Sequence, residues 1–175
     1  RAFSGKKSPM RIQRTIPPAA APLEFKDLVH GLSGIFMGGR SLQKLKEELR
    51  KFFGVRHVFP VSSGKAALTI ILNALKSLSP GKNEVLIPAY TCFSVPSAIV
   101  KTGLRVSLCD IDPATLDFDY KLLEESIHEK TLCVIPTHLF GIPSDVDKID
   151  GFCRDKGIFV VEDAAQAMGV RYNGK

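Results

Sequence analysis

A chain of 175 residues with 45% hydrophobic and 24% charged residues has the size and balance of one soluble α/β domain with a sizeable core. Its formal net charge of +6 is concentrated at the start, because the first 14 residues hold five cations and no acid, and subtracting those five leaves +1. The composition therefore predicts a solvated basic tail and argues against a nucleic-acid-binding surface and against a membrane span, which needs roughly 18 consecutive apolar residues.

The first part of the chain predicts an arm followed by a helix. Residues 1–23 are basic and then rich in proline and alanine, so we expect no regular element there. Residues 28–36 form a short apolar segment of ambiguous type, which Gly38 and Gly39 close. An amphipathic helix is predicted over 41–53, capped by Ser41 and ended by Gly54. We therefore predict an arm with a short lead-in over 1–40 and a domain over 41–175.

From residue 58 onward, strand-like and helix-like segments alternate. The strand-like segments are apolar throughout, which is typical of strands with helices on both faces. Connections through helices favour parallel strands. The sequence thus predicts an α/β fold, three layers with a largely parallel sheet, with strands at 58–61, 85–87, 105–109, 132–135 and 158–161 and helices at 65–78, 94–101, 120–128 and 145–156.

The cysteines predict a reducing environment. Cys92, Cys109, Cys133 and Cys153 show no CxxC spacing and no histidine-rich neighbourhood, so neither a metal site nor a disulfide is expected. Cys109 and Cys133 lie in apolar strand-like runs, where a thiol behaves as a small hydrophobic group. We therefore expect a cytoplasmic protein.

Two carboxylates follow the last predicted strand. Ligands of α/β proteins collect at the carboxyl ends of parallel strands, where Asp163 is expected to lie. A carboxylate in such a crevice suits a cationic partner, for example a protonated ring nitrogen. The alternative for Asp163 is a helix N-cap in a βα loop.

A second candidate site lies in the turn after residue 61. Gly64 allows the backbone to approach a ligand, and the N–H groups of the following helix favour a phosphate. The alternative is an ordinary helix with Ser63 as its N-cap. The side chain of Lys65 is expected to be solvated, with its backbone N–H as the useful group. Neither GxxxxGK[ST] nor GxGxxG is present, so triphosphate and dinucleotide sites have little support.

Six stretches, in order over residues 41–175, resemble the DegT/DnrJ/EryC1/StrS sugar aminotransferases, which are pyridoxal-phosphate enzymes of fold type I. They are residues 45–57, 61–68, 84–91, 110–113, 136–147 and 160–167. The resemblance implies an incomplete fold type I large domain. It also implies that Ser63, Gly64 and Lys65 hold the cofactor phosphate, that Asp163 pairs with the pyridinium nitrogen and that Gln166 contacts the ring oxygen.

The chain departs from the family pattern at three points. Cys92 stands where the family has an aromatic residue that stacks on the cofactor, with Phe93 next to it, so either residue is a candidate for that contact. Lys65 replaces a threonine in the phosphate turn. The Schiff-base lysine of the family is expected beyond Lys175, so no catalytic residue is assigned within this chain, and the segment alone is expected to be inactive.

The resemblance implies that the full-length protein is an aminotransferase. It would move an amino group, typically from glutamate, to a keto group on a nucleotide-linked sugar, and it would work as a homodimer. Two alternatives stay open: a non-catalytic relative that binds cofactor or a partner, and a related pyridoxal-phosphate dehydratase or lyase. In the dehydratase, a histidine replaces the lysine.

Several other polar residues have local explanations. His138 either reaches the mouth of the site or is a satisfied structural histidine. Asp145 and Asp147 are expected to cap and charge the next helix, and Asp110 and Asp112 to form a turn before proline. We also expect exposed sheet edges and apolar surface to make the isolated chain poorly soluble.

Overall fold

The computed structural model describes residues 24–174, except the side chains of residues 35–38; the predicted arm over 1–23 lies outside the described residues. The chain divides into two compact units, residues 1–60 and 61–175. The helices are α1 (Phe25–Phe53), α2 (Gly64–Leu78), α3 (Ser94–Lys101), α4 (Tyr120–Ser126) and α5 (Val146–Cys153). The strands are β1 (Glu84–Pro88), β2 (Arg105–Cys109), β3 (Ile111–Asp112), β4 (Asp117–Phe118), β5 (Thr131–Val134) and β6 (Phe159–Val160).

The first unit contains one long helix, α1. The predicted start at Ser41 is wrong, because α1 begins at Phe25 and passes through Gly38 and Gly39 without a break. Glycine lowers helix stability by about 1 kcal/mol per residue but does not forbid a helix. The predicted end is confirmed: Gly54 has φ 63° at the C-cap, a left-handed conformation that glycine adopts without strain.

The second unit is built on a four-stranded parallel sheet in the order β2-β1-β5-β6. β1 pairs with β2 on one side, with Val85 opposite Val106, and with β5 on the other, with Leu86 opposite Val134. The carboxyl ends of β1, β5 and β6 therefore lie side by side at one edge, where α/β proteins bind ligands.

Helices cover both faces of this sheet, so the predicted three-layer arrangement is confirmed. Because side chains alternate along a strand, Val85 and Ile87 face one layer and Leu86 faces the other. The first core includes Leu68 and Leu72 of α2 with Val95, Ala98 and Ile99 of α3. The second includes Leu123 of α4 with Ile149 and Cys153 of α5.

Two parts of the sheet prediction are wrong. Residues 58–61 carry no strand in the described structure, and Pro60 has no backbone N–H to donate to a ladder. Conversely, β3 and β4 form a two-stranded antiparallel sheet that the sequence did not predict, with Ile111 opposite Phe118. Asp112, the last residue of β3, opens the turn between them: its Oδ1 accepts the Ala114 N–H at 2.8 Å, as expected of turn chemistry.

The helix caps explain where α4 and α5 begin. Asp119 accepts the N–H groups of Lys121 and Leu122 at 3.0 and 3.2 Å, which starts α4 at Tyr120. The Asp145 carboxylate accepts the Lys148 N–H at 3.1 Å, as predicted, so that α5 starts at Val146. α4 ends at Ser126, two residues before the predicted end.

The described surface carries several exposed apolar side chains. Ile70 and Leu78 of α2, Val100 of α3 and Leu108 on the edge strand β2 are all more than half exposed. Poor solubility of the chain remains a prediction that this surface supports. None of the described helices combines the length and apolarity that a membrane crossing requires.

Candidate active site

A cavity of about 330 Å³ lies in the second unit, at the carboxyl ends of β1, β5 and β6 and the N-terminus of α2. Apolar side chains from α2 and from the ends of β5 and β6 form much of its wall: Ala67, Leu68, Ile71, Leu139 and Val161. Its polar lining includes Cys92, Thr137, Asp163 and Gln166. An apolar pocket with a few convergent polar groups is the usual form of a small-ligand site.

The N-terminus of α2 offers hydrogen-bond donors at this cavity. Ser63 caps the helix, because its Oγ accepts the Ala66 N–H at 3.2 Å and its carbonyl accepts the Ala67 N–H at 3.0 Å. Among the described residues, no acceptor faces the N–H groups of Gly64 and Lys65. Unpaired N–H groups at a helix N-terminus favour an anion, so this end of the cavity suits a phosphate.

Gly64 also leaves space at this end. Apart from its chain neighbours and its own helix backbone, no atom of the described residues lies within 4 Å of where a Cβ at Gly64 would stand, and the residue lines the cavity. The Lys65 side chain is exposed and is not part of the cavity wall, as the sequence predicted for a solvated lysine. The turn therefore acts through its backbone.

Cys92 stands on the wall between α3 and the strand ends. The Ser94 Oγ donates to its Sγ at 3.1 Å, and hydrogen bonds from the Ser94 side chain and backbone lower the pKa of the thiol. The nearby Asp163 carboxylate partly opposes this shift, because a negative neighbour disfavours a thiolate. Phe93, by contrast, is 83% exposed and does not line the cavity. Of the two candidates for the ring contact, Cys92 is the one beside the cavity.

Asp163 is fixed at the end of β6 by its backbone. Its N–H donates to the Pro136 carbonyl at 2.9 Å, and its carbonyl accepts the His138 N–H at 3.1 Å. Its Oδ1 accepts the Ala165 N–H at 3.1 Å. No partner in the described chain occupies Oδ2. No helix begins after Asp163 among the described residues, so the helix N-cap alternative is wrong. The bond to the Ala165 N–H closes a turn instead, and it leaves Oδ2 available.

Gln166 presents a donor to the cavity. Its Oε1 accepts the backbone N–H of Phe140 at 2.8 Å. The amide nitrogen Nε2, which carries two protons, has no acceptor among the described residues. Phe140 adopts φ 54°, and Gly141 follows with φ 81°, so this turn aims a backbone N–H back at Gln166.

The structure adds residues that the sequence did not assign. Thr137 follows β5, is 7% exposed, lines the cavity and places its Oγ1 3.3 Å from the Thr91 Oγ1. Its place at the carboxyl end of a central strand is the signal that would have identified it. Glu162 also lines the cavity, and its Oε2 lies 3.0 Å from the Nε2 of His138.

Of the two alternatives for His138, a residue at the mouth of the site or a structural histidine with satisfied hydrogen bonds, the structure fits the second. It is 6% exposed, and its Nδ1 accepts the Ser144 N–H at 3.0 Å, so the ring proton sits on Nε2 and points at Glu162. It does not line the cavity.

Of the predicted cofactor residues, Gly64, Cys92, Asp163 and Gln166 meet around the cavity. Ser63 and Lys65 flank Gly64 and contribute a cap and a backbone N–H. The arrangement combines unpaired N–H groups at a helix N-terminus, an apolar wall, an unpaired carboxylate oxygen and an amide donor. Those groups fit a flat, anionic ligand with a basic ring nitrogen and an acceptor oxygen.

Comparison with known proteins gives the same architecture. A family model described as the DegT/DnrJ/EryC1/StrS aminotransferase family matches residues 24–175. A solved GDP-4-keto-6-deoxymannose-3-dehydratase with a trapped PLP-glutamate geminal diamine is similar, with a TM-score of 0.81 at 25% identity, covering 92% of this chain and 44% of that one. This likeness confirms the predicted fold type I architecture.

Curated relatives include both aminotransferases and dehydratases. UDP-2-acetamido-2-deoxy-3-oxo-D-glucuronate aminotransferase of Pseudomonas aeruginosa is 34% identical over 142 residues, which are 81% of this chain and 39% of that protein. GDP-4-keto-6-deoxy-D-mannose 3-dehydratase of Yersinia pseudotuberculosis is 33% identical over 147 residues, 82% of this chain and 37% of the relative. The chain spans less than half the length of these relatives. With a family model matching all of its described residues, the chain belongs to the DegT/DnrJ/EryC1/StrS aminotransferase family.

Proposed function

We propose that the cavity holds pyridoxal 5′-phosphate. The observation that carries this proposal is that two complementary groups line one cavity: Gly64, whose N–H is unpaired like that of the adjacent Lys65, and Asp163, whose Oδ2 is unpaired. The N–H groups suit the phosphate, and the carboxylate suits the protonated ring nitrogen. The Gln166 amide nitrogen suits the ring oxygen.

The surroundings of these groups fit the cofactor. Gly64 leaves open space beside the phosphate end, and the cavity volume of about 330 Å³ lies within the usual range for small-ligand sites. Leu139 and Val161 supply apolar surface for the ring faces. Cys92 offers its thiol where the family has an aromatic ring.

The proposed reaction is transfer of an amino group, from glutamate, to a keto group of a nucleotide-linked sugar. The cofactor supplies an electron sink for the carbon that loses its proton. In this chain Asp163 favours the protonated ring nitrogen, and the α2 N-terminus anchors the phosphate. The names of the relatives support a nucleotide-sugar substrate, and the glutamate adduct in the similar dehydratase structure supports the donor.

Amino transfer is tested with the full-length protein. We incubate it with pyridoxal phosphate, ¹⁵N-glutamate and a panel of keto sugars linked to UDP or GDP, and analyse the sugar products by mass spectrometry. Incorporation of ¹⁵N into one product is expected. The Asp163→Asn variant should lose most of this activity, and Asp155→Asn, in an exposed turn, serves as the matched control. A full-length protein that binds the cofactor but transfers no ¹⁵N to any sugar would contradict the aminotransferase proposal.

A dehydratase is the second candidate, because the Yersinia relative and the similar solved structure carry that activity in their names. The same assay separates the two reactions. A dehydratase product lacks a hydroxyl group and retains no ¹⁵N, whereas the aminotransferase product keeps the labelled nitrogen. A non-catalytic relative would bind the cofactor and give neither product.

Further proposals concern the setting of the reaction. We place the protein in the cytoplasm, which the unpaired Cys92, Cys109, Cys133 and Cys153 support. We also propose a homodimer, as in related enzymes of this fold, and residues 41–175 as part of the cofactor-binding large domain. Sedimentation of the full-length protein tests the dimer.

A further inference from the structure

The loop from Thr137 to Ser144, which we call the 137–144 loop, is tied to the segment after β6 by three hydrogen bonds. The His138 N–H donates to the Asp163 carbonyl at 3.1 Å, and the His138 ring lies 3.0 Å from the Glu162 carboxylate. The third bond runs from the Phe140 N–H to the Gln166 Oε1 at 2.8 Å. The loop therefore touches three of the five residues from 162 to 166.

The His138 ring has only one arrangement of its proton that satisfies both neighbours. The Ser144 N–H donates to Nδ1 at 3.0 Å, so Nδ1 keeps its lone pair and Nε2 carries the proton. Nε2 then donates to Glu162 Oε2. With His138 6% exposed and Ser144 2% exposed, this bridge is shielded from water on the loop side.

Two further hydrogen bonds close the 137–144 loop on itself. The Ser144 Oγ donates to the Thr137 carbonyl at 3.3 Å, and the Ile142 N–H donates to the Leu139 carbonyl at 2.8 Å. Phe140 lies at the tip in the left-handed region, with φ 54°. A non-glycine residue holds this conformation only where its surroundings fix it.

The orientation of the Gln166 side-chain amide depends on the backbone N–H of Phe140 at the tip of the loop. Because the Phe140 N–H occupies Oε1, the NH₂ group is left as the unpaired end of this amide, whose residue lines the cavity. Without that N–H, the two orientations of the amide become similar in energy, and one of them sets a carbonyl against an acceptor oxygen of the ligand.

We propose that Glu162 and His138 are positioning residues, which hold the 137–144 loop so that the Phe140 N–H fixes the Gln166 amide as a donor to the ring oxygen of the cofactor. This inference rests on the proposed function. In this scheme His138 does not line the cavity, and Glu162, which does, has its Oε2 engaged by the histidine.

The test uses Glu162, because its side chain is 52% exposed and its replacement leaves the core intact. We measure the binding of pyridoxamine 5′-phosphate, which needs no lysine, and of its 3-deoxy analogue, which lacks the ring oxygen, by fluorescence titration of the purified full-length protein. Glu162→Ala should weaken binding of pyridoxamine phosphate by about threefold to tenfold, the worth of one neutral hydrogen bond. Binding of the 3-deoxy analogue should change by less than about twofold. Glu162→Gln keeps an acceptor for Nε2 and should restore most of the lost affinity.

A second variant separates positioning from general loosening. In a Gln166→Ala background, Glu162→Ala should cause no further loss, because the group that it positions is already absent. Equal weakening of both ligands by Glu162→Ala, or an additional loss in the Gln166→Ala background, would overturn the inference. Failure of the unaltered full-length protein to bind either ligand would overturn the proposed cofactor site, and that result is seen before any variant is made.

Discussion

Replacing Asp163 by asparagine tests the proposed site specifically, because it changes the character of the unpaired Oδ2. Asp163→Asn keeps an oxygen for the Ala165 N–H, which lies 3.1 Å from Oδ1, so the local turn is retained. What changes is the other position, where a negatively charged acceptor becomes a neutral NH₂ donor. The backbone bonds of Asp163 to Pro136 and His138 do not involve the side chain and stay in place.

The size of the effect follows from the bond that is lost. A hydrogen bond to a charged group contributes about 1.5–3 kcal/mol, which corresponds to a loss of about 10-fold to 150-fold in affinity for pyridoxamine 5′-phosphate. The carboxylate also stabilises the protonated ring, because an opposite charge favours the charged form. In the Asn variant, the bound ring should therefore lose its proton at a pH lower by about one to two units.

Two readouts follow the substitution. Fluorescence titration gives the dissociation constant, and the absorbance of the bound ligand between about pH 5 and 9 follows the ring proton, whose pKa the carboxylate raises. Asp155→Asn removes an exposed carboxylate from the turn after α5 and serves as the control. An Asp163→Asn chain with unaltered affinity and an unaltered ring titration would refute the pairing of Asp163 with the ring nitrogen.

Three further substitutions test neighbouring parts of the site. Ser63→Ala removes the cap on α2, whose Oγ lies 3.2 Å from the Ala66 N–H, and should lower the free energy of unfolding in urea by about 1 kcal/mol; an unchanged midpoint would contradict the capping role. Lys65→Pro removes one of the unpaired N–H groups, in a first helical turn that tolerates proline. It should weaken binding of pyridoxamine phosphate by about tenfold or more and leave the affinity for pyridoxamine, which has no phosphate, unchanged. Equal loss of affinity for both ligands would contradict phosphate binding at the start of α2. Cys92 should react with iodoacetamide at a lower pH than an ordinary thiol, whose pKa is about 8.5, and Ser94→Ala should move this reaction to higher pH. The buried cysteines, whose pKa values burial raises to about 11 for Cys109 and Cys153 and about 12 for Cys133, should not react under the same conditions, and their alkylation ahead of Cys92 would contradict the described packing.

The layers of the fold could be predicted because their signals are local and repeated. Apolar strands of similar length, separated by helical segments, leave few arrangements other than a parallel sheet between two helix layers. The exceptions have physical reasons. The apolar run at 58–61 has no partner strand in the described structure, and β3 and β4 are only two residues each, too short for a periodic pattern.

The start of α1 shows a different limit of sequence reasoning. Gly38 and Gly39 were read as the close of a separate segment, yet the helix runs through them from Phe25 to Phe53. Because helix propensity contributes only a small energy per residue, two glycines do not end a helix when the residues on both sides of them are helical.

The site residues that could be predicted are those whose place is set by a single secondary-structure element. Asp163 follows a strand and Gly64 opens a helix, so each position followed from its own element. The bond between His138 and Glu162 joins residues 24 apart in sequence. It depends on the register of β5 against β6, with Val134 opposite Val160, which no local pattern reveals.

The central claim is that this cavity binds the cofactor with its phosphate at the start of α2 and its ring nitrogen at Asp163. A titration of the ¹⁵N-labelled full-length protein with pyridoxamine 5′-phosphate, followed by amide NMR shifts, tests it most directly. We predict that the largest shifts occur at Gly64, Lys65 and Ala165, whose N–H groups lie at or beside the two ends of the ligand. Saturable binding that leaves these three amides unshifted, or no binding at all, would contradict the account.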